Sequence, residues 1–193
     1  NPASWIASVL SQTSPNVDPA FTANTAFLSG ITALKVSMTR ANYIALKDAG
    51  ICGFEYDGDI GFKIKSGIVT QIADSSKVTI LRRRMADYLT SSVAKFLKNY
   101  QNAVNSAENR KLVKGAIQGF VTSLQNSGIL PKDSEVTNGK ATLIDTESLN
   151  TNATIAAGFF KILWRQRIYS SMRYIVLQAE IGESVVVTES EAA

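Results

Sequence analysis

The chain has 193 residues, 45% of them hydrophobic, enough to bury the core of one domain or of a domain with a small annex. Its 20 Lys and Arg against 16 Asp and Glu leave +4, a mild excess that does not by itself call for nucleic acid. The absence of histidine excludes Ser-His-Asp and Cys-His nucleophilic arrangements and the usual zinc sites, and a single cysteine, Cys52, excludes an internal disulfide. Cys52 sits in an apolar run beside Ile51 and Phe54 and reads as a buried thiol.

No apolar run approaches the roughly 20 residues that span a bilayer, and no basic-then-apolar signal opens the chain. The expectation is a soluble segment without direct membrane insertion. Because it lacks an initiating methionine and starts inside an apparent helix, the chain is expected to be a fragment or a processed product.

In chain order, Ala3, Ile6, Val9 and Leu10 share one helical face, and Pro15 and Pro19 break the pattern after residue 12. The run Ile31 to Met38 is expected to form a strand. Thr39 then caps a helix with the stripe Tyr43, Ile44 and Leu46, stopped by a left-handed Gly50. Cys52–Tyr56 and Ile60–Ile64 flank Asp57-Gly58-Asp59, a hairpin signal. The same turn lacks the further ligands of a calcium loop.

Two long helices follow. Met85, Tyr88, Leu89, Val93, Phe96, Leu97 and Tyr100 make the stripe of the first, and Leu112, Val113, Ala116, Ile117, Phe120, Val121 and Leu124 that of the second. Asn105 and Glu108 predict a capping box for the second helix, and Gly128 its end. The short link predicts an antiparallel pair. Gly115 and Gly119 are expected to allow close packing against a neighbouring helix or sheet.

Residues 131–152 read as a polar surface excursion in which only Thr142-Leu143-Ile144 looks like a strand. Phe160, Ile162, Trp164 and Ile168 alternate with Lys161, Arg165 and Arg167, predicting a half-buried strand that turns at Tyr169-Ser170-Ser171 and pairs with Tyr174–Ile181. Past Gly182, the segment Val185-Val186-Val187-Thr188 has strong strand preference after an already complete hairpin.

Catalytic and ligand motifs do not converge. Gly58-Asp59-Ile60-Gly61 is too short and acidic to cradle phosphate, and Asp145 and Glu147 lie in a polar loop as solvated charge. Asn152-Ala153-Thr154 fits the glycosylation pattern, but no secretory signal accompanies it. No cofactor or metal is expected. Arg82-Arg83-Arg84 is the densest basic cluster, and with Lys161, Arg165 and Arg167 beside Phe159 it supports an alternative reading as a nucleic-acid-binding module.

The order of these signals carries a resemblance. Phe27-Leu28-Ser29-Gly30-Ile31, the helix Thr39–Gly50, Ile51-Cys52-Gly53-Phe54, Lys65–Thr70, Arg82–Leu89, the stretch Tyr88 to Gly128 and Thr154–Gly158 together resemble the conserved C-terminal domain of contractile phage tail sheath proteins. The resemblance covers nearly the whole sequence and departs from the family at residues 131–151. It implies that residues 1–193 are the core domain of a larger subunit lacking its N-terminal region.

The expected fold is α+β, with a mostly antiparallel or mixed sheet packed against two long antiparallel helices, a final β-hairpin and an extended C-terminal strand. The implied role is non-enzymatic: a subunit that polymerises helically around a tail tube and contracts to drive it through the host envelope. A pyocin-like or type VI sheath is the related alternative. The partners implied are neighbouring sheath subunits, the tube protein, and baseplate and tail terminator proteins. The implied location is the tail sheath of a virion assembled in the host bacterial cytoplasm.

Within that reading, Val185, Val186, Val187 and Thr188 exchange as a strand between subunits. Arg165, Arg167 and Arg173 make the final hairpin basic, while Glu183 and Glu189 belong to an acidic tail, so opposite charges would set subunit register. By analogy with the family, Arg110, Lys111 and Lys114 face the tube.

Overall fold

The computed structural model describes residues 2–21, 32–34, 36, 38–58, 61–65, 67–70 and 78–170. Within them the fold is α+β, with five α-helices and two small antiparallel sheets rather than one continuous sheet. No helix among the described residues is long and apolar enough to cross a membrane.

Helix α1 (Pro2–Gln12) buries Val9, and the backbone beyond it turns at Pro15 to bury Pro19. A Cβ on Gly67 would lie 2.6 Å from Asp18 Oδ1 and 2.9 Å from Pro19 Cγ, so only glycine lets this segment cross so closely. The strand expected over Ile31–Met38 is absent at the described residues 32–34, 36 and 38. Val36 and Met38, which would share one strand face, are both exposed, so that face has nothing to bury.

Helix α2 (Arg40–Asp48) starts at Thr39, whose side chain accepts from Asn42 N. It ends before Gly50 at φ +70°, where the backbone also passes so near Thr70 that a Cβ would come within 2.9 Å of its Cα. Ile44 does not join the predicted stripe and is exposed. Strands β1 (Phe54–Asp57) and β2 (Gly61–Ile64) form the predicted hairpin, pairing Tyr56 with Phe62 and Glu55 with Lys63. Lys63 sits between Glu55 at 3.5 Å and Asp57 at 2.6 Å. The Asp57 hydrogen bond is the main cause that raises its pKa. Cys52 is half-buried and its Sγ donates to Ile68 O at 3.0 Å.

Helix α3 (Ile80–Leu97) is capped by Thr79 and buries Leu81, Met85, Leu89 and Val93, with Tyr88 at its margin. A 3-10 turn, Lys98–Tyr100, and a short link lead to helix α4 (Ala107–Asn126). Its cap is Ser106, whose side chain accepts from Asn109 N at 3.1 Å, and not Asn105 as the capping-box spacing suggested. Asn105 is engaged elsewhere, donating from Nδ2 to Phe159 O at 2.9 Å. Ile129 N–H returns to Leu124 O at 2.9 Å as α4 ends at Gly128.

The core runs between these helices in two clusters. Leu81, Met85 and Leu89 of α3 join Val121 and Leu124 of α4 with Leu130. Val93 of α3 joins Val113 and Ile117 of α4, so the start of one helix meets the end of the other. Burial of each large side chain here contributes about 1.5–3 kcal/mol.

The stretch after residue 130 is a surface excursion only in part: residues 137–140 are exposed, but others are built into the core. Leu130, Pro131, Ala141, Ile144 and Thr146 are buried, and strand β3 (Thr142–Asp145) closes the second core cluster through Ile144. A short helix α5 (Asn152–Ala156), capped by Thr151, leads to strand β4 (Leu163–Gln166). β4 pairs antiparallel with β3, Ile144 opposite Trp164 and Leu143 opposite Arg165. The partner expected for β4, Tyr174–Ile181, lies outside the described residues.

Candidate subunit interface

The basic cluster at the start of α3 does not form one anion-binding patch, because a helical step of about 100° sends consecutive side chains apart. Arg84 reaches back to α1, donating to Leu10 O and Thr13 O at 2.7 Å each and to Thr13 Oγ1 at 3.1 Å. Its burial lowers the guanidinium's pKa. Arg83 pairs with Asp87 one turn on at 3.1 Å, and Arg82 donates to Ser170 Oγ. Arg82 and Arg84 tie α3 to distant parts of the chain, while Arg83 pairs within the helix.

The three basic residues proposed for one face of α4 also divide. Arg110 is 9% exposed and lies one three-residue step before Val113, on the buried stripe. Its guanidinium donates to Asn105 O and Oδ1 at 3.3 Å and to Glu147 Oε2 at 3.4 Å, joining the start of α4 to the turn after β3. Arg110 is therefore a packing residue and not a surface one. Lys111 and Lys114 project outward.

Beside those lysines, Leu112 is 56% exposed, and Gly115 and Gly119 have open space where a Cβ would stand. The close packing expected of these glycines is absent within the described residues. Each interior helical glycine costs about 1 kcal/mol relative to alanine. Two of them on an open face leave α4 with a shallow, backbone-lined surface bordered by positive charge.

The β3–β4 sheet presents its inner face, Ile144 and Trp164, to the helices and turns Leu143, Asp145, Leu163 and Arg165 the other way. Arg167 N donates to Ala141 O at 2.8 Å, which fixes the alternation of bonded pairs. The main-chain groups of Thr142 and Ile144 then point off one edge and those of Trp164 and Gln166 off the other. Among the described residues neither edge is paired with a third strand. Arg165 and Arg167 are both exposed, and Arg167 donates to Asn138 O. Arg173, Val185, Val186, Val187, Thr188, Glu183 and Glu189 lie outside the described residues.

Among the described residues, the groups that sequence suggested for chemistry serve the turns instead. Asp145 Oδ1 accepts from Glu147 N and Ser148 N at 2.9 Å each, closing the turn after β3. The Ser148 side chain and these two N–H groups lower the Asp145 pKa to about 2. It is a turn residue, ionised at neutral pH. A polar groove of about 420 Å³ is lined by Gln118, Gln125, Asp133, Lys140 and Thr142, and its Asp133 is held in the turn by accepting from Ala141 N. No group of His, Cys, Asp or Glu among the described residues could hold a metal.

No family model and no curated protein matches the sequence. Solved structures do. The helical sheath of the anti-feeding prophage in its contracted state superposes with a TM-score of 0.75 at 21% identity, over 93% of this chain and 49% of that one. The sheath complex of an extracellular contractile injection system, PVC, in the contracted state gives a TM-score of 0.76 at 16% identity, over 92% and 49%. The fold is that of a contractile sheath domain. A sheath tail protein from Desulfitobacterium hafniense matches more distantly, with a TM-score of 0.56 at 16% identity over 76% of this chain and 34% of that one.

The chain spans about half the length of the prophage and PVC structures. Gly115 and Gly119 were legible in the sequence as small residues for close packing, whereas the exposure of Leu112 and the edges of β3 and β4 left without a third strand among the described residues were not. The clue for the β3 edge was the pair Leu143 and Ile144, too short a run to identify a strand partner.

Proposed function

We propose that the chain is the core domain of a contractile sheath subunit, a non-enzymatic protein that polymerises helically around a tube and switches between extended and contracted packings. The observation that carries this is the shared fold with sheath structures over nine-tenths of its length. The edges of the β3–β4 sheet, which carry no third strand among the described residues, support it, because main-chain groups left open in one subunit would give directional bonding to the next. Non-closing contacts of this kind generate helices.

In this reading Val185, Val186, Val187 and Thr188 form the donated strand. The acidic Glu183 and Glu189 meet Arg165, Arg167 and Arg173 on a neighbouring subunit and set register. Lys111 and Lys114 face the tube, with Leu112 and the two glycines of α4 permitting close approach. Arg110 supports that surface from within. Two packings of an unchanged subunit differing by a few kcal/mol are enough for contraction without a nucleotide.

The prophage and PVC matches favour a contractile injection system over a phage tail among the sheath-bearing particles. Baseplate and terminator proteins complete the partner set in either case, with the sheath assembled in the bacterial cytoplasm. The nucleic-acid reading loses its basis in the divergence of Arg82, Arg83 and Arg84.

The test removes residues 183–193 from the full-length protein and follows unfolding and particle formation together. Loss of ordered polymers with the fold retained is expected. Truncated subunits that still assembled, or that unfolded as monomers, would count against strand donation.

A further inference from the structure

Asn138-Gly139 is the only Asn-Gly step in the sequence. It lies at the exposed tip between the 3-10 turn Asp133–Glu135 and β3, with Gly139 at φ +83°. Glycine leaves the peptide nitrogen that follows the asparagine unshielded, and no hydrogen bond holds the Asn138 side-chain amide among the described residues. The tip is nonetheless pinned. Ala141 N donates to Asp133 Oδ1 at 2.7 Å, Tyr169 hydroxyl donates to Glu135, and Arg167 Nη2 donates to Asn138 O.

That last contact falls on a particular peptide group. The carbonyl oxygen that Arg167 holds belongs to the same amide whose nitrogen is Gly139 N. Removing the proton from this nitrogen delocalises negative charge onto the oxygen, where the guanidinium stabilises it. An adjacent cation favours the anionic form of an acid, and one pK unit is worth about tenfold in its population.

We propose that Asn138 is a self-modification site of the folded subunit, a deamidation site activated by Arg167. Gly139 N, deprotonated, attacks Asn138 Cγ, so that a bond forms between these two atoms and the bond from Cγ to Nδ2 breaks. The departing nitrogen takes up protons and leaves as ammonia, giving a five-membered succinimide. Water then opens either ring carbonyl, yielding aspartate or isoaspartate. No electrons are transferred, and water is the only co-reactant.

The product changes the surface it sits on. One new carboxylate beside Arg167 takes the formal charge from +4 to +3, since a neutral amide becomes an anion. In the isoaspartyl form the backbone runs through the side chain and is one carbon longer, and the carbonyl that Arg167 holds becomes the free carboxylate. Modification thus neutralises the edge of the β3–β4 sheet locally, and accumulates with time after folding.

The experiment ages the protein in mildly alkaline buffer and follows the tryptic peptide Asp133–Lys140, which contains no other asparagine. Amide-to-acid conversion is read by mass, and isoaspartate by enzymatic methylation. A synthetic peptide of the same residues is the reference. Conversion in the folded protein is expected about tenfold faster than in the peptide, and slowed to the peptide's rate in Arg167→Gln. Conversion in the folded wild type no faster than in the peptide would overturn the proposal, whether or not the variant folds. An Arg167→Gln protein that folds and converts at the wild-type rate would overturn it too.

Discussion

The Arg84 guanidinium caps the end of helix α1 through Thr13, donating to its carbonyl oxygen at 2.7 Å and its hydroxyl at 3.1 Å. A residue of α3 thereby supplies the donors that the last turn of α1 lacks, with Leu10 O as a further acceptor at 2.7 Å. Arg84→Ala removes all of these donors at once. Bonds from a charged donor contribute about 1.5–3 kcal/mol, and the loss is expected at about 2 kcal/mol in urea unfolding. A variant as stable as the parent would mean that α1 is not held through this residue.

Arg110 and its neighbours on α4 are expected to separate cleanly. Arg110→Ala strips the donors from Asn105 and Glu147 and should cost about 2 kcal/mol. Lys111→Ala and Lys114→Ala, both on the exposed face, should stay within about 0.5 kcal/mol of the parent. In a tube-binding assay the order reverses: charge reversal at Lys111 and Lys114 weakens docking while sheath self-assembly persists. Thermal unfolding and co-sedimentation with tube protein read the two effects.

Gly115→Ala and Gly119→Ala should each stabilise the isolated subunit by about 0.5–1 kcal/mol, because the added methyl meets nothing within 4 Å. On a surface used for close approach, the same methyl groups hold a partner away. Higher melting temperature with weaker docking is the expected combination. Higher stability with unaltered docking would remove these glycines from the interface.

The turn after β3 should respond to acid. Asp145 titrates at about 2, below its ordinary 3.8, because the Ser148 side chain and the N–H groups of Ser148 and Glu147 bind its ionised form. A depressed carboxyl stabilises the fold fully above the unfolded-state value and loses that contribution as pH falls through the folded one. The melting-temperature gap between the parent and Asp145→Asn is therefore expected to be constant above about pH 5 and to shrink towards about pH 2. A gap independent of pH would show that the carboxylate charge plays no part.

Much of the helical architecture was readable because its signals are local. The side chain of Thr39 and the backbone of Gly50 and Gly128 act within a turn of their own positions, and the three-and-four spacing of α3 and α4 needs no partner to be seen. Ser106 was passed over for Asn105 because either can cap and only Asn105 has a glutamate three residues on. Family analogy puts Arg110 on the tube side, although its three-residue step from Val113 places it on the buried stripe.

The stretch containing β3 was harder for a physical reason. Leu130, Pro131, Ala141, Ile144 and Thr146 are buried in ones and twos among polar residues, and β3 has four residues whose burial depends on α4 and β4. No local period reports such contacts. The candidate interface features were legible only in part, since a sheet edge without a partner among the described residues is a property of the assembled fold.

The claim that this fold serves a sheath is tested most directly by electron microscopy of the full-length protein purified without a tube. The account predicts hollow, helically ordered cylinders, and their loss when residues 183–193 are removed. A full-length protein that stays monomeric under conditions favouring assembly, with its fold intact, would contradict it.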